Sequence, residues 1–319
     1  MLTRTLGRTG LQVPVVSFGA GPVSGLMTGT DAAAQRATVG RALAAGIDWF
    51  DTAPGYGQGQ SEATLGRVLA ELGTSRTARI ATKVRVPEDA LGRVGDYVLS
   101  SVRESLARLR VQQITLLQLH NGIARGRGDE PAALTSSDVL DAGGVLDAFR
   151  RVRDAGLVRY LGLTGTGHAD AMREVIRSGG FDTLQVPYNL LNSSAGRAGA
   201  ADGEIDYGNV IADATAVRMG VFAIRVFAGG ALLDQPPSAH TLTTPYFPLA
   251  LYRRDVERAR RVRELVGDRM TAAELALRFV LANPAVTSAI VGFGSPGHID
   301  EVARVPLDER PPADLAGLS

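Results

Sequence analysis

Four side chains could together pass a proton to or from an oxygen: Asp51, Tyr56, Lys83 and His120. Asp51 follows Ile47-Asp48-Trp49-Phe50, Lys83 follows Ile80-Ala81-Thr82, and His120 closes the run 114–119. Tyr56 lies in the turn Pro54-Gly55-Tyr56-Gly57. Singly, each has an ordinary explanation: a capping aspartate, a lysine with its amine in solvent, a histidine serving loop carbonyls, a tyrosine covering the core. Together they suit the interconversion of a carbonyl and an alcohol. That reaction needs a proton donor at the developing alkoxide, and an unperturbed tyrosine or lysine holds its proton to about pH 10. An ammonium beside a phenol stabilises the phenolate and brings proton exchange towards working pH. In this arrangement Asp51 fixes the Lys83 ammonium, Tyr56 is the general acid or base, and His120 orients the substrate oxygen.

Residues so far apart in sequence meet only if the chain brings successive strand ends to one place. Apolar, β-rich runs at 15–18, 47–50, 80–83, 114–119, 160–163, 183–186, 221–225 and 288–291 read as strands. Helical patterns alternate with them at 32–45, 61–69, 89–109, 145–155, 169–178, 207–219, 256–266 and 272–282, and the tail after 291 supplies a last helix. Asp31 and Thr271 stand as N-caps, with Glu274 completing a capping-box pattern, and Gly46 and Gly156 follow helix ends.

This alternation predicts an α/β fold, a (β/α)8 TIM barrel forming one domain over residues 1–319. No G-x-G-x-x-G turn follows the first strand, which demotes an open dinucleotide-binding sheet. Residues 4–13 read as an N-terminal β-hairpin that plugs the bottom of the barrel. Three long connections, 121–142, 190–206 and 226–254, follow strands and fall at the C-terminal face, where barrel sites lie. Pocket walls are expected from 22–27, 121–142, 189–192 and 226–254, with Tyr246, Phe247 and Tyr252 at an aromatic mouth. Trp49 is expected to pack inside the barrel.

The 34 Lys and Arg residues nearly balance 33 Asp and Glu, so no nucleic-acid or anionic-membrane partner is indicated. There is no cysteine, which removes disulfides, thiolate metal sites and a cysteine nucleophile. The four histidines (His120, His168, His240, His298) lack metal-ligand spacing. No stretch reads as a signal peptide or membrane span, so a cytoplasmic location and a small-molecule carbonyl or alcohol partner are the expectations.

The segment Gly46-Ile47-Asp48-Trp49-Phe50-Asp51-Thr52-Ala53-Pro54-Gly55-Tyr56-Gly57, with Ser61-Glu62 and Leu65-Gly66, resembles the aldo-keto reductase signature. Ile80-Ala81-Thr82-Lys83 and Leu116-Leu117-Gln118-Leu119-His120 resemble that family's lysine and histidine motifs. The resemblance implies a (β/α)8 barrel, an Asp-Tyr-Lys-His tetrad and a nicotinamide cofactor bound without a Rossmann fold. It places Thr164 and Gln185 at the carboxamide, although Gly165 replaces an amide-bearing residue. Ile224 takes the position of a stacking aromatic and Arg225 that of a serine, so Arg225 could reach a pyrophosphate or an acidic substrate. Gly229 and Gly230 let backbone amides approach a phosphate. Gly292, Gly294, Ser295, His298 and Glu301 fall in the segment that grips the adenosine end, where Val302 replaces an asparagine. The cofactor implied is NADP(H), with NAD(H) the alternative because cations usual in NADPH-preferring members are missing there. Two other readings stay open: a slow, nucleotide-sensing relative, and a barrel aldolase using Lys83 as a Schiff-base nucleophile.

Overall fold

A computed structural model describes residues 1–200 and 203–312. Ten strands run along the chain: β1 (Thr3–Thr5), β2 (Gln12–Pro14), β3 (Val16–Gly19), β4 (Trp49–Asp51), β5 (Arg79–Val84), β6 (Ile114–Leu119), β7 (Val158–Thr164), β8 (Thr183–Pro187), β9 (Gly220–Ile224) and β10 (Val286–Gly292). β3 to β10 form a closed barrel of parallel neighbours, with β10 pairing back onto β3. Eight parallel strands wrapped by helices are the expected (β/α)8 architecture. Its strands are apolar runs because both faces are covered, one by the barrel interior and one by helices.

The helices are α1 (Ala32–Ala44), α2 (Gln60–Glu71), α3 (Val94–Leu109), α4 (Ser136–Leu140), α5 (Val145–Asp154), α6 (Ala169–Arg177), α7 (Val210–Ala216), α8 (Ala239–Thr243), α9 (Leu249–Val266), α10 (Ala272–Ala282) and α11 (Pro296–Arg304). Asp31 caps α1 by accepting the Ala34 N–H at 2.9 Å, and Thr271 caps α10 through Glu274 N–H at 3.1 Å. Boundaries differ from expectation at three places. The helix expected over 207–219 shortens to α7, because Asn209 and Arg218 take left-handed backbone at its ends. The helix expected to start at 256 begins at Leu249, so the connection 226–254 is partly helical and carries α8 as well. The connection 121–142 holds α4, closed by a reciprocal Thr135–Asp138 capping box.

β1 and β2 form the antiparallel N-terminal hairpin. Its Leu6 and Val13 pack with Trp49, Ala81, Leu116, Phe222 and Ile290 in a core inside the barrel. Trp49 is fully buried there, its ring 5.0 Å from that of Phe222. The hairpin is tied down by Arg4, which donates to the carbonyls of Leu281 and Val286 at 2.7 Å each. Above this apolar floor the inward positions turn polar. The register sets Gln118 beside Lys83, and Asp51 beside Ala81, two residues before Lys83 on the same strand face.

Candidate active site

Asp51 ends β4 and Lys83 lies on β5, both buried. The Lys83 ammonium donates to Asp51 Oδ1 at 2.6 Å, to the Thr52 carbonyl at 2.9 Å and to Tyr56 Oη at 3.2 Å. All three of its N–H bonds are thereby directed. Burial alone pulls the Lys83 value down; Asp51 and Tyr56 push it up, and the balance is raised, so the amine stays charged. Asp51 Oδ2 accepts from Gln118 Nε2 at 2.9 Å and from Gln185 Nε2 at 2.8 Å.

Tyr56 is carried by the turn between β4 and α2, where Gly57, Gln58 and Gly59 all have positive φ. Gly57 and Gly59 admit this backbone without a side-chain penalty. The turn is anchored by Ser61, which donates to the Ala20 carbonyl and lies 2.8 Å from the Thr52 hydroxyl. Next to it Glu62, fully buried, accepts from Thr82 at 2.5 Å and from Arg108 Nε at 2.7 Å, which locks α2 to β5 and α3. His120 follows β6 with its ring edge-on to Tyr56, centroids 5.9 Å apart. Burial first, then the Lys83 and Arg85 charges, hold its pKa well below 6.5, so the imidazole is neutral at pH 7.

Over these groups opens a cavity of about 1030 Å³. Asp51, Tyr56, Gln185, Arg225, Gly229, Gly230, Gly292, Gly294, His298 and Glu301 line it. Lys83 sits beneath Asp51 and Tyr56. Besides Lys83, three expected residues are outside the lining: His120, whose ring stands edge-on to Tyr56, Thr164, which spends its hydroxyl on the Leu119 carbonyl at 2.7 Å, and Ser295, which precedes α11. His298 Nδ1 accepts the Gly294 N–H at 3.2 Å. Of the expected walls, 22–27 and 226–254 contribute, whereas 121–142 does not reach the large cavity. Asn189 and Asn192 instead line a small adjoining space that Arg225 and Phe247 share.

Arg225 holds left-handed backbone (φ 55°), and its guanidinium stacks 4.0 Å from the Phe247 ring centre. Its nearest charge is Asp255 at 3.6 Å, and burial pushes that carboxyl up to about 6. Arg85 reaches Tyr246 and the His120 carbonyl, which ties the 226–254 connection across the barrel mouth to β5. Gln118, Glu62, Arg108 and Arg85 were not singled out in the sequence for this site. For Gln118 a signal existed: it lies two residues before His120, which directly follows the same strand.

The sequence model of the aldo/keto reductase family matches residues 15–311. The chain belongs to that family. L-galactose dehydrogenase of Arabidopsis thaliana is 28% identical over 300 residues, covering 93% of this chain and 86% of its own. D-threo-aldose 1-dehydrogenase of a Pseudomonas species is 27% identical, covering 97% of this chain and 94% of its own. An aldo-keto reductase of Bacillus halodurans in its holo form superposes with a TM-score of 0.74 at 22% identity, over 100% of this chain and 95% of that one. These relatives make this aldo/keto reductase an oxidoreductase in the general sense. No helix among the described residues is long and apolar enough to cross a membrane.

Proposed function

We propose that this aldo/keto reductase interconverts a carbonyl and an alcohol with a nicotinamide dinucleotide, Tyr56 giving or taking the proton. The observation that carries this reading is the Lys83 ammonium, clamped by Asp51 at 2.6 Å and aimed at Tyr56 Oη at 3.2 Å. So placed, its charge faces the oxygen that gives or takes the proton and eases transfer in either direction. Neutral His120 beside the Tyr56 ring has an N–H to offer the substrate oxygen without adding charge. The cavity supports a dinucleotide: Gly229 and Gly230 line it with left-handed backbone, and the Arg225 guanidinium has no hydrogen-bond partner among the described residues. Gln185 would meet the carboxamide, Arg225, Gly229 and Gly230 the pyrophosphate, and Gly292, Gly294, His298 and Glu301 the adenosine end. When bound, the nicotinamide supplies or accepts the hydride; the chain orients the substrate and handles the proton. NADP(H) is the cofactor to test first, with NAD(H) as the alternative.

A Schiff-base role for Lys83 is disfavoured, since a charged amine with all three N–H bonds engaged has no free electron pair to attack a carbonyl. The substrate range comprises aldehydes, ketones and aldoses. The two dehydrogenases above act on L-galactose and on D-threo-aldoses by their names, so aldoses lead the screen. The deciding experiment is Tyr56→Phe, with dinucleotide affinity read by fluorescence titration. Affinity should be close to that of the parent while turnover falls about 10²–10⁴-fold. Undiminished turnover would remove Tyr56 from the reaction.

A further inference from the structure

Asp51 is held from three sides, and only one of its partners is the lysine. Oδ1 takes the Lys83 ammonium; Oδ2 takes two amide N–H donors, Gln118 at 2.9 Å and Gln185 at 2.8 Å. The two glutamines are not equivalent. Gln185 lines the cavity, so its remaining N–H and its Oε1 are available to whatever enters. Gln118 is fully buried and does not line that cavity. We infer that Gln118 is a positioning residue for proton transfer, a fixed second donor that sets the charge Asp51 presents to Lys83 and thereby to Tyr56. The inference rests on the proposed role of Tyr56.

Three observations support it. First, the Gln118 Oε1 atom is buried without a hydrogen-bond partner among the described residues, as is the neighbouring Thr183 hydroxyl. A buried acceptor left unmade weakens a fold, so a side chain kept only for stability would be better apolar here. What Gln118 gains is its Nε2 contact alone. Second, the barrel makes room for it. Gly162 pairs with Gln118 in the register, and a Cβ there would stand 3.1 Å from Gln118 Cγ and 2.3 Å from the Thr183 hydroxyl. Third, Gln185 faces the cavity and its amide can turn towards an incoming partner, whereas Gln118 cannot. One donor therefore stays on Asp51 while the other responds.

The consequence concerns how much of the ammonium's charge is left for Tyr56. An N–H on Oδ2 withdraws negative charge from Asp51, so Asp51 neutralises Lys83 less and the phenolate is better stabilised. Without Gln118, Asp51 claims more of Lys83, and proton transfer to Tyr56 needs a higher pH.

Gln118→Met keeps the length of the side chain and removes both polar atoms. The measurements are kcat against pH for alcohol oxidation, the melting temperature, and dinucleotide affinity by fluorescence titration. The expected result is an acid limb moved upward by about one pH unit, hence a roughly tenfold lower rate below it. Dinucleotide affinity should be unchanged, and the melting temperature equal to or above the parent's. An unshifted limb overturns the inference, whether or not stability falls.

Gln118→Glu keeps the shape and guards against misfolding of the first variant. Protonated, its carboxyl donates to Asp51 as the amide does; ionised, it repels Asp51. Its rate should approach the parent's at low pH and fall away as pH rises; a profile parallel to the parent's contradicts the inference. If Tyr56→Phe keeps its turnover, the reading of the site itself fails. If Tyr56→Phe is inactive and both Gln118 variants keep the parent's profile, only the positioning role does.

Discussion

Asp51→Asn removes one negative charge from a fully buried pair while nearly preserving shape. Lys83 is 0% exposed and, among the described residues, its only charged partner is Asp51 at 2.6 Å. Breaking a buried pair by removing one partner typically destabilises by about 3–5 kcal/mol, because the other charge stays without compensation. At roughly 2.1 cal/mol/K of unfolding entropy per residue, a chain of this size loses about 4–8 °C in melting temperature. The pH dependence carries a sign. In the parent the Lys83 pKa is raised above 10.5, chiefly by Asp51 working against burial. Its contribution to stability is therefore full below 10.5 and lost as pH rises through the folded value. In the variant burial acts with Asp51 gone, the folded value drops below the unfolded one, and stability grows with pH instead. The deficit should be largest in acid and shrink towards pH 10. Thermal melts of both proteins by circular dichroism from pH 6 to 10 read this directly. A deficit below about 1 °C, or one that widens with pH, would refute the reasoning.

Other outcomes follow from the same contacts. His120 is held well below 6.5, so on acidification the unfolded chain takes up a proton that the folded chain resists, and stability falls below about pH 6.5. His120→Asn should flatten the melting curve between pH 7 and 5, and an identical acid slope in both proteins would contradict this. Arg108→Met strips the fully buried Glu62 of its only charged partner among the described residues, leaving Thr82. A loss of about 3–5 kcal/mol in chemical denaturation is expected, and a change under about 1 kcal/mol would show that the Glu62–Arg108 pair does not hold α2 to α3. Arg225→Met should weaken dinucleotide binding about tenfold, with the salt dependence of binding reduced; equal affinity at low and high salt in both proteins would assign Arg225 to the Phe247–Asp255 packing alone.

The barrel was legible because its strands are buried on both faces and so appear as apolar runs, each ending where polarity returns at Asp51, Lys83 and His120. The hairpin was legible from Gly7 and Gly10 between two short extended pieces. Gln118 escaped notice because its partner Asp51 lies 67 positions away, a proximity that only barrel closure creates. The early start of α9 was hidden by Pro248, which reads as a break but here precedes a helix. Thr164 matched a motif by position, yet its hydroxyl serves the Leu119 carbonyl, a competition that no motif encodes.

The N-terminal hairpin has a kinetic meaning beyond its packing. With Leu6, Val13, Trp49 and Phe222 filling the floor, the barrel is a cup with a single rim. What enters the cavity above Tyr56 therefore leaves across the same rim, a direction of traffic set by the first fourteen residues on the far side of the molecule.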